Sequence, residues 1–240
     1  MILALAALSA IPATALDGEI LINQAKANDG GITPDDNPGY PITISRSGKY
    51  KLIGNLNVPA DKNGFNVTAN NVTIDLNGFR IAGGKVGINM PNRDGLTLMN
   101  GTIRNAASHG IVARSFAIVQ DMQIANNGGM GIKLDNNGRV LRSTISGSNS
   151  VNIYCISKCL IASNVVTGSV TESAIGLFTT AGGHLVLGNV IANNTGFAIY
   201  AEGMTGFANN TITGNGTFNG SSLNGNVNAV HPNFCQPACP

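Results

Sequence analysis

The 240-residue sequence predicts an all-β chain folded as a parallel β-helix, a solenoid of about seven coils with about 22 residues in each. Apolar residues recur in columns at a nearly constant spacing, and within each repeat they alternate with other residues, as they do in strands. The chain is also rich in Gly and Asn and poor in charge, which favours short strands and turns over a helical bundle.

The repeat is clearest in a four-residue unit that begins each coil. Its copies step along the chain by 23, 23, 21, 21, 22 and 22 residues: Gly64-Phe65-Asn66-Val67, Gly87-Ile88-Asn89-Met90, Gly110-Ile111-Val112-Ala113, Gly131-Ile132-Lys133-Leu134, Asn152-Ile153-Tyr154-Cys155, Ala174-Ile175-Gly176-Leu177 and Gly196-Phe197-Ala198-Ile199.

Two further apolar columns have nearly the same period. They are Leu98, Val119, Val140, Ile161, Val186 and Phe207, and then Ile103, Ile124, Ile145, Val166, Ile191 and Ile212. A single coil cannot bury its apolar face, whereas stacked coils share a continuous core. A β-propeller blade needs about 40 residues and does not fit this repeat.

Asparagines occupy a fixed place in the later coils. Asn164, Asn189 and Asn210 each stand two positions before an apolar column residue. An Asn amide can hydrogen-bond to the same side chain in the coils above and below. We therefore expect a structural, inward-facing Asn ladder at a turn.

The N-terminus has the pattern of a secretory signal. An apolar run from Ile2 to Ile11 precedes the small-residue triplet Ala13-Thr14-Ala15, which predicts a signal peptide at residues 1–15 with cleavage near Ala15. The run is too short to span a membrane well, and no later stretch is apolar enough. We expect a secreted, periplasmic or cell-surface protein that is not an integral membrane protein.

The segments that flank the repeat are predicted to close its ends, because a stack of coils leaves open hydrophobic ends that need caps. Residues 16–60 are predicted to be an N-terminal cap with two strands around a Ser-Gly turn, residues 61–214 the β-helix, and residues 215–240 a C-terminal loop or cap.

Four cysteines, Cys155, Cys159, Cys235 and Cys239, would lie in an oxidising space after export, which predicts disulfides. Four cysteines allow three pairings, and the two close spacings make local pairs plausible. A metal site shared by both pairs is disfavoured, because 75 residues separate them and no histidine is suitably placed beside them. We expect no metal and no other cofactor.

The stretches "NVTIDLNGFRIAGG" and "GLTLMNGTIRN" and the Asn-x-Ile repeats resemble secreted bacterial proteins of the pectin-lyase-like superfold, in an uncharacterised branch. The resemblance covers roughly residues 45–214 and implies a single-stranded right-handed parallel β-helix. It does not imply an activity, because this superfold carries lyases, hydrolases, epimerases and inert surface proteins.

The motifs of enzymes in that superfold are missing. Between residues 65 and 214 no two carboxylates share a column in adjacent coils, as a calcium site would need. His184 falls in a column with Ala117, Gly138 and Cys159, which predicts a partly buried structural histidine. We assign no catalytic residue.

If the chain is an enzyme, a cation could neutralise or deprotonate a uronic acid, and a tyrosine could donate a proton. The residues to suspect are then Asp135, Arg114, Lys133 and Tyr154.

The column after the first strand of each coil is the best candidate binding surface. It reads Pro91, Arg114, Asp135, Ile156, Phe178, Tyr200. We expect Arg114 and Asp135 to form an exposed ion pair of small energetic value, and Ile156, Phe178 and Tyr200 to form an apolar strip on which a sugar could stack. These five residues are the predicted ligand-binding residues.

The sequence thus predicts an exported scaffold that contacts a polysaccharide or cell-surface glycan without turning it over. The alternatives are an atypical polysaccharide lyase or hydrolase and a purely structural or adhesive surface protein. The chain has no Lys/Arg run, so a nucleic-acid partner is not expected. The oligomeric state stays open.

Overall fold

The computed structural model describes residues 18–170, 173–177, 182–216, 223–229 and 233–236. The predicted signal peptide, Phe178 and Cys239 lie outside these ranges. The described residues form one helix and 24 strands, which are β1 (Ile20–Ile22), α1 (Gln24–Asp29), β2 (Ile42–Ile44), β3 (Gly48–Leu52), β4 (Leu56–Val58), β5 (Phe65–Val67), β6 (Val72–Asp75), β7 (Arg80–Gly83), β8 (Ile88–Met90), β9 (Thr97–Arg104), β10 (Ile111–Ala113), β11 (Ile118–Ala125), β12 (Ile132–Asn136), β13 (Arg139–Leu141), β14 (Thr144–Ser146), β15 (Ile153–Ser157), β16 (Leu160–Ala162), β17 (Val165–Thr167), β18 (Ile175–Leu177), β19 (His184–Leu187), β20 (Val190–Ala192), β21 (Ile199–Ala208), β22 (Thr211–Thr213), β23 (Leu223–Ala229) and β24 (Phe234–Gln236).

The strands stack into a parallel β-solenoid of about eight turns with a spacing of about 22 residues. Each full turn contributes to three faces. The first face contains β2, β5, β8, β10, β12, β15 and β18 and continues into β21. Each of these strands pairs with the corresponding strand of the next turn. All pairings between described strands are parallel, which confirms the predicted architecture.

The core is built from columns of identical or similar side chains. Ile111, Ile132, Ile153 and Ile175 lie in direct register on successive strands, and all four are fully buried. The two other predicted columns are buried as well. Stacking therefore removes from water the apolar face that one turn could not bury by itself.

The predicted register fails in one place. Ile199, and not Phe197, pairs with Ile175, so the predicted unit Gly196-Phe197-Ala198-Ile199 is shifted by two residues. Strand side chains alternate with a period of two, so a slip of two residues keeps the same face inward. Apolar patterning alone could not detect this slip.

The corners between the faces are made by residues in the left-handed backbone region. In one corner these residues are Asn71, Gly95, Phe116, Asn137, Lys158 and Gly183. Asn and Gly adopt this conformation at little cost, whereas a bulky residue does not. Phe116 has φ of 59° and a side chain that is 60% exposed, so little packing offsets its strain.

We expect Phe116→Gly to raise the free energy of unfolding by about 1 kcal/mol, because the left-handed backbone is strained for Phe and not for Gly. The urea midpoint would report the gain. Val165→Gly is the matched control, because Val165 is also exposed but lies in a strand with ordinary backbone angles. That substitution should destabilise the protein, and a loss of stability in both variants would contradict the prediction.

The predicted Asn ladder is confirmed. Asn164 Nδ2 donates to Asn189 Oδ1 at 3.0 Å, Asn189 Nδ2 donates to Asn210 Oδ1 at 3.0 Å, and Asn210 Nδ2 donates to Asn233 Oδ1 at 3.0 Å. The ladder therefore continues one residue further than predicted. A second ladder, which was not predicted, joins Asn194 Nδ2 to Asn215 Oδ1 at 2.8 Å.

Coil-like pairing extends into both flanking segments. The two strands expected around the Ser-Gly turn are β2 and β3, and β4 follows them. These strands pair in parallel with β5, β6 and β7 of the following turn. At the other end β23 and β24 pair with β21 and β22, so the stack continues into residues 215–240.

Candidate functional site

The outward positions of the first face form a column of contrasting side chains. Val112, Lys133, Tyr154, Gly176 and Tyr200 pair directly on successive strands. Two tyrosines therefore stand two turns apart with a glycine, which has no side chain, between them.

This register corrects the predicted apolar strip. Tyr200 lies in the column of Tyr154 and not in that of Ile156, and the residue that continues the Asp135 and Ile156 column after Ala201 is Glu202. Ile156 is half-buried, and Phe178 lies outside the described residues. The predicted series Ile156, Phe178, Tyr200 is wrong in its last member because of the two-residue slip.

Two of the suspected residues, Lys133 and Asp135, lie close to a third, Tyr154. Lys133 Nζ lies 5.9 Å from the centre of the Tyr154 ring, within the range of a cation–π contact. Burial raises the pKa of Tyr154, and the negative charges of Asp135 and Glu202 raise it further. We call Lys133, Asp135, Tyr154, Tyr200 and Glu202 the tyrosine surface.

His109 lies near the same surface. Its Nδ1 accepts a hydrogen bond from the Met130 backbone N–H at 2.9 Å. Burial lowers the pKa of His109, and the positive charge of Lys133 lowers it further. His109 and Glu202 are the two members of this neighbourhood that the sequence did not select, because neither belongs to a column whose composition marks it.

Arg114 makes a different ion pair from the one expected. Its Nη1 lies 3.6 Å from Asp94 Oδ2 in the preceding turn, whereas Asp135 is joined to it only by a backbone hydrogen bond from Asp135 N–H to Arg114 O at 3.4 Å. Asp94 is held in place because its Oδ1 accepts from the Ser115 N–H at 3.2 Å. The Arg114 side chain can reach the carboxylate in the turn before it or the one in the turn after it. The hydrogen bond from the Ser115 N–H, which holds the Asp94 carboxylate in place, favours pairing with Asp94.

A second ion pair lies on another corner. Arg142 Nε and Nη2 donate to Asp121 Oδ1 and Oδ2 at 2.8 and 2.7 Å, and the two residues occupy one column in successive turns. The hydrogen bonds from Arg142 lower the pKa of Asp121, and burial opposes this effect. Both side chains face solvent, so salt screens the attraction between them.

The first cysteine pair forms a disulfide between Cys155 and Cys159, one of the local pairings considered. Cys235 is also disulfide-bonded, and Cys239 lies outside the described residues. Contrary to expectation, a histidine does lie beside a cysteine pair. The Cys159 backbone N–H donates to His184 Nδ1 at 3.3 Å.

His184 is in register with Cys159 in the next turn and is only 1% exposed, more buried than predicted. Its Nε2 is buried and makes no hydrogen bond. Burial lowers the pKa of His184 to about 4, although the Ile156 carbonyl acts in the opposite direction. Within the described ranges, Cys155, Cys159 and His184 are the one group of three His, Cys, Asp or Glu side chains close enough to share a metal ion.

The buried imidazole predicts acid sensitivity in the disulfide-bonded protein. The unfolded chain takes up a proton near pH 6.5 and the folded chain only near pH 4, so stability is complete above pH 6.5 and falls between these values. We expect His184 to account for a loss of about 3 kcal/mol at pH 4. Urea unfolding of the wild type and of His184→Gln across this range measures it, and parallel pH profiles would contradict the prediction.

The fold and its outward columns define a β-solenoid protein, and the comparisons agree. A family model described as a right handed beta helix region matches residues 86–234. Because the match covers more than half of the chain, the protein belongs to this right-handed β-helix family. No curated protein and no solved structure matches. Across the described residues, no helix has the length and apolar character that a membrane span requires.

Proposed function

We propose that this chain is an exported β-helix scaffold that contacts a polysaccharide or cell-surface glycan through the tyrosine surface without turning it over. The observation that carries the proposal is the placement of Tyr154 and Tyr200 in one outward column on either side of Gly176. Strands in a sheet are about 4.8 Å apart, so the two tyrosine positions are separated by about 9.6 Å.

This separation suits one sugar ring. A ring in van der Waals contact with an aromatic group on each side needs about 4 to 4.5 Å on either side. Gly176 adds no side chain to the intervening position. Tyrosine also combines an apolar ring with a polar hydroxyl, which suits the alternating C–H and O–H surfaces of a sugar.

The charges of the surface favour a class of glycan. Asp135 and Glu202 act on Tyr154 as negative charges, whereas the Lys133 ammonium lies 5.9 Å from the ring centre. Arg114 is paired with Asp94. We therefore infer a neutral or amino-bearing polysaccharide as the ligand, and expect weaker binding of polyuronates because of charge repulsion.

The spacing of the carboxylates supports binding without turnover. Asp135 and Glu202 follow residues that are three turns apart in the first face, which places their backbones about 14 Å from each other. Glycosidases hold their two carboxyl groups about 5 to 9.5 Å apart, a range that Asp135 and Glu202 reach only if both side chains lean toward each other along the column. Export is supported by the disulfide and by the signal-like N-terminus.

We expect Tyr154→Ala and Tyr200→Ala each to weaken glycan binding about tenfold, a loss of about 1.4 kcal/mol, because each removes one of the two stacking rings. Gly176→Val should weaken it at least as much, since its side chain would enter the space between the rings. Calorimetric titration with cello-, xylo- and chitosan oligosaccharides, and with oligogalacturonate for comparison, measures the effect.

Phe234→Ala is the matched control, because Phe234 is an exposed aromatic residue on a different face of the solenoid. It should bind as the wild type does. Unchanged binding in both tyrosine variants would reject this surface. Release of shortened or unsaturated sugars by the wild type would reject binding without turnover.

A further inference from the structure

Cys155, Cys159 and His184 bring two sulfurs and an imidazole together inside the solenoid. Their ligand atoms all lie within 4.8 Å of one another, and all three residues are buried. A zinc ion sits about 2.3 Å from a thiolate and about 2.0 Å from an imidazole nitrogen. To share one ion, the two sulfurs, which are bonded to each other in this structure, must move apart to about 3.8 Å by rotation of the cysteine side chains.

The His184 imidazole is poorly hydrogen-bonded where it lies. His184 Nε2 is buried without a hydrogen-bond partner, which is costly for a polar atom in a dry core. Its other nitrogen, Nδ1, accepts from the Cys159 N–H, so the ring is oriented by the backbone. Because Nδ1 accepts, the neutral ring carries its proton on Nε2, and the unprotonated Nδ1 has the lone pair that a metal needs. Coordination through Nδ1 would replace the hydrogen bond from the Cys159 N–H.

The charge and coordination of the group favour Zn²⁺ once the sulfurs are reduced. Two thiolates balance the double positive charge of the ion, so a buried complex is neutral. The Asp135 carbonyl oxygen lies 3.4 Å from Cys155 Sγ and 4.0 Å from Cys159 Sγ, which makes it available as a fourth, oxygen ligand. The four donors then match the tetrahedral preference of zinc.

We propose that reduction of the Cys155–Cys159 disulfide converts this group into a zinc site, so that the disulfide and the bound ion exclude each other. A dithiol reductant gives two electrons and two protons, its own sulfurs form a disulfide, and both cysteines become thiols. Zn²⁺ then replaces the two thiol protons, which pass to solvent. The inference is independent of the glycan proposal.

The test uses the full chain carrying Cys235→Ser and Cys239→Ser, which leaves only the first cysteine pair. The protein is reduced in denaturant with a phosphine reductant, refolded without oxygen and dialysed against Zn²⁺. We expect one zinc per chain, and with Co²⁺ a visible absorption spectrum typical of tetrahedral thiolate coordination. The same protein after oxidation should retain none.

Two further variants identify the ligands. Adding Cys155→Ser and Cys159→Ser should abolish retention, and His184→Gln should weaken it at least tenfold and change the Co²⁺ spectrum. Circular dichroism establishes that each variant folds, and the oxidised protein is a control that needs no substitution. The proposal is overturned if the reduced, folded protein retains no zinc, or if the oxidised form retains as much.

Discussion

Asn189→Leu should lower the free energy of unfolding by about 4 kcal/mol, because the Asn189 amide satisfies several buried groups at once. Its Oδ1 accepts from the backbone N–H and from Nδ2 of Asn164 at 2.9 and 3.0 Å. Its Nδ2 donates to Ile161 O at 2.9 Å and to Asn210 Oδ1 at 3.0 Å. Leucine has a similar size but removes all four bonds in a region that water does not reach. The Asn164 backbone N–H and Ile161 O lose this partner, whereas Asn164 Nδ2 keeps Val140 O and Asn210 Oδ1 keeps the backbone N–H of residue 189.

The urea unfolding midpoint measures this loss. Asn92→Leu is the control, because Asn92 is exposed in a loop outside both ladders and should change stability by less than about 0.5 kcal/mol. Equal effects of the two substitutions would show that the ladder contributes no more than a surface asparagine does.

Gly131→Ala should cost about 3 kcal/mol, because the new methyl group has no room. A Cβ at this position would lie 2.6 Å from Asn152 O and 2.9 Å from both Ile145 Cγ2 and Ser148 Oγ. The nearest of these atoms belongs to the backbone of the next turn, which cannot move without breaking the strand pairing. Gly131 does not have a positive φ, so the effect measures space and not backbone strain.

Gly54→Ala is the matched substitution, since a Cβ there meets only Asn23 Cβ at 3.4 Å and φ is also not positive. We expect it to be neutral or slightly stabilising. Denaturant unfolding of both variants compares them directly. If Gly131→Ala is as stable as Gly54→Ala, the close approach of successive turns at this column is not what requires glycine.

The same close approach explains part of the repeat. A Cβ at Gly64, Gly87 or Gly110 would lie 2.5 to 2.6 Å from the carbonyl oxygen of the corresponding residue in the next turn. The glycines that open the first copies of the repeat are therefore required by the stacking, which the sequence shows as a pattern without giving its cause.

The sequence by itself determined the fold, the inward columns and the Asn ladder. These features depend on the residue types at each step of the repeat, and stacking turns a repeat in sequence directly into contacts in space. For the same reason the pairing of Asp121 with Arg142 could be expected. Both residues occupy one column, and they have opposite charges.

Only the tertiary structure decided the details on which the candidate sites depend. The two-residue slip that moves Tyr200 beside Gly176 preserves the inward and outward alternation, so hydrophobic patterning cannot show it. Arg114 pairs with Asp94 and not with Asp135 because its long side chain extends toward the preceding turn. His184 meets Cys155 and Cys159 because one turn of the solenoid brings residues that are distant in the sequence within hydrogen-bonding distance.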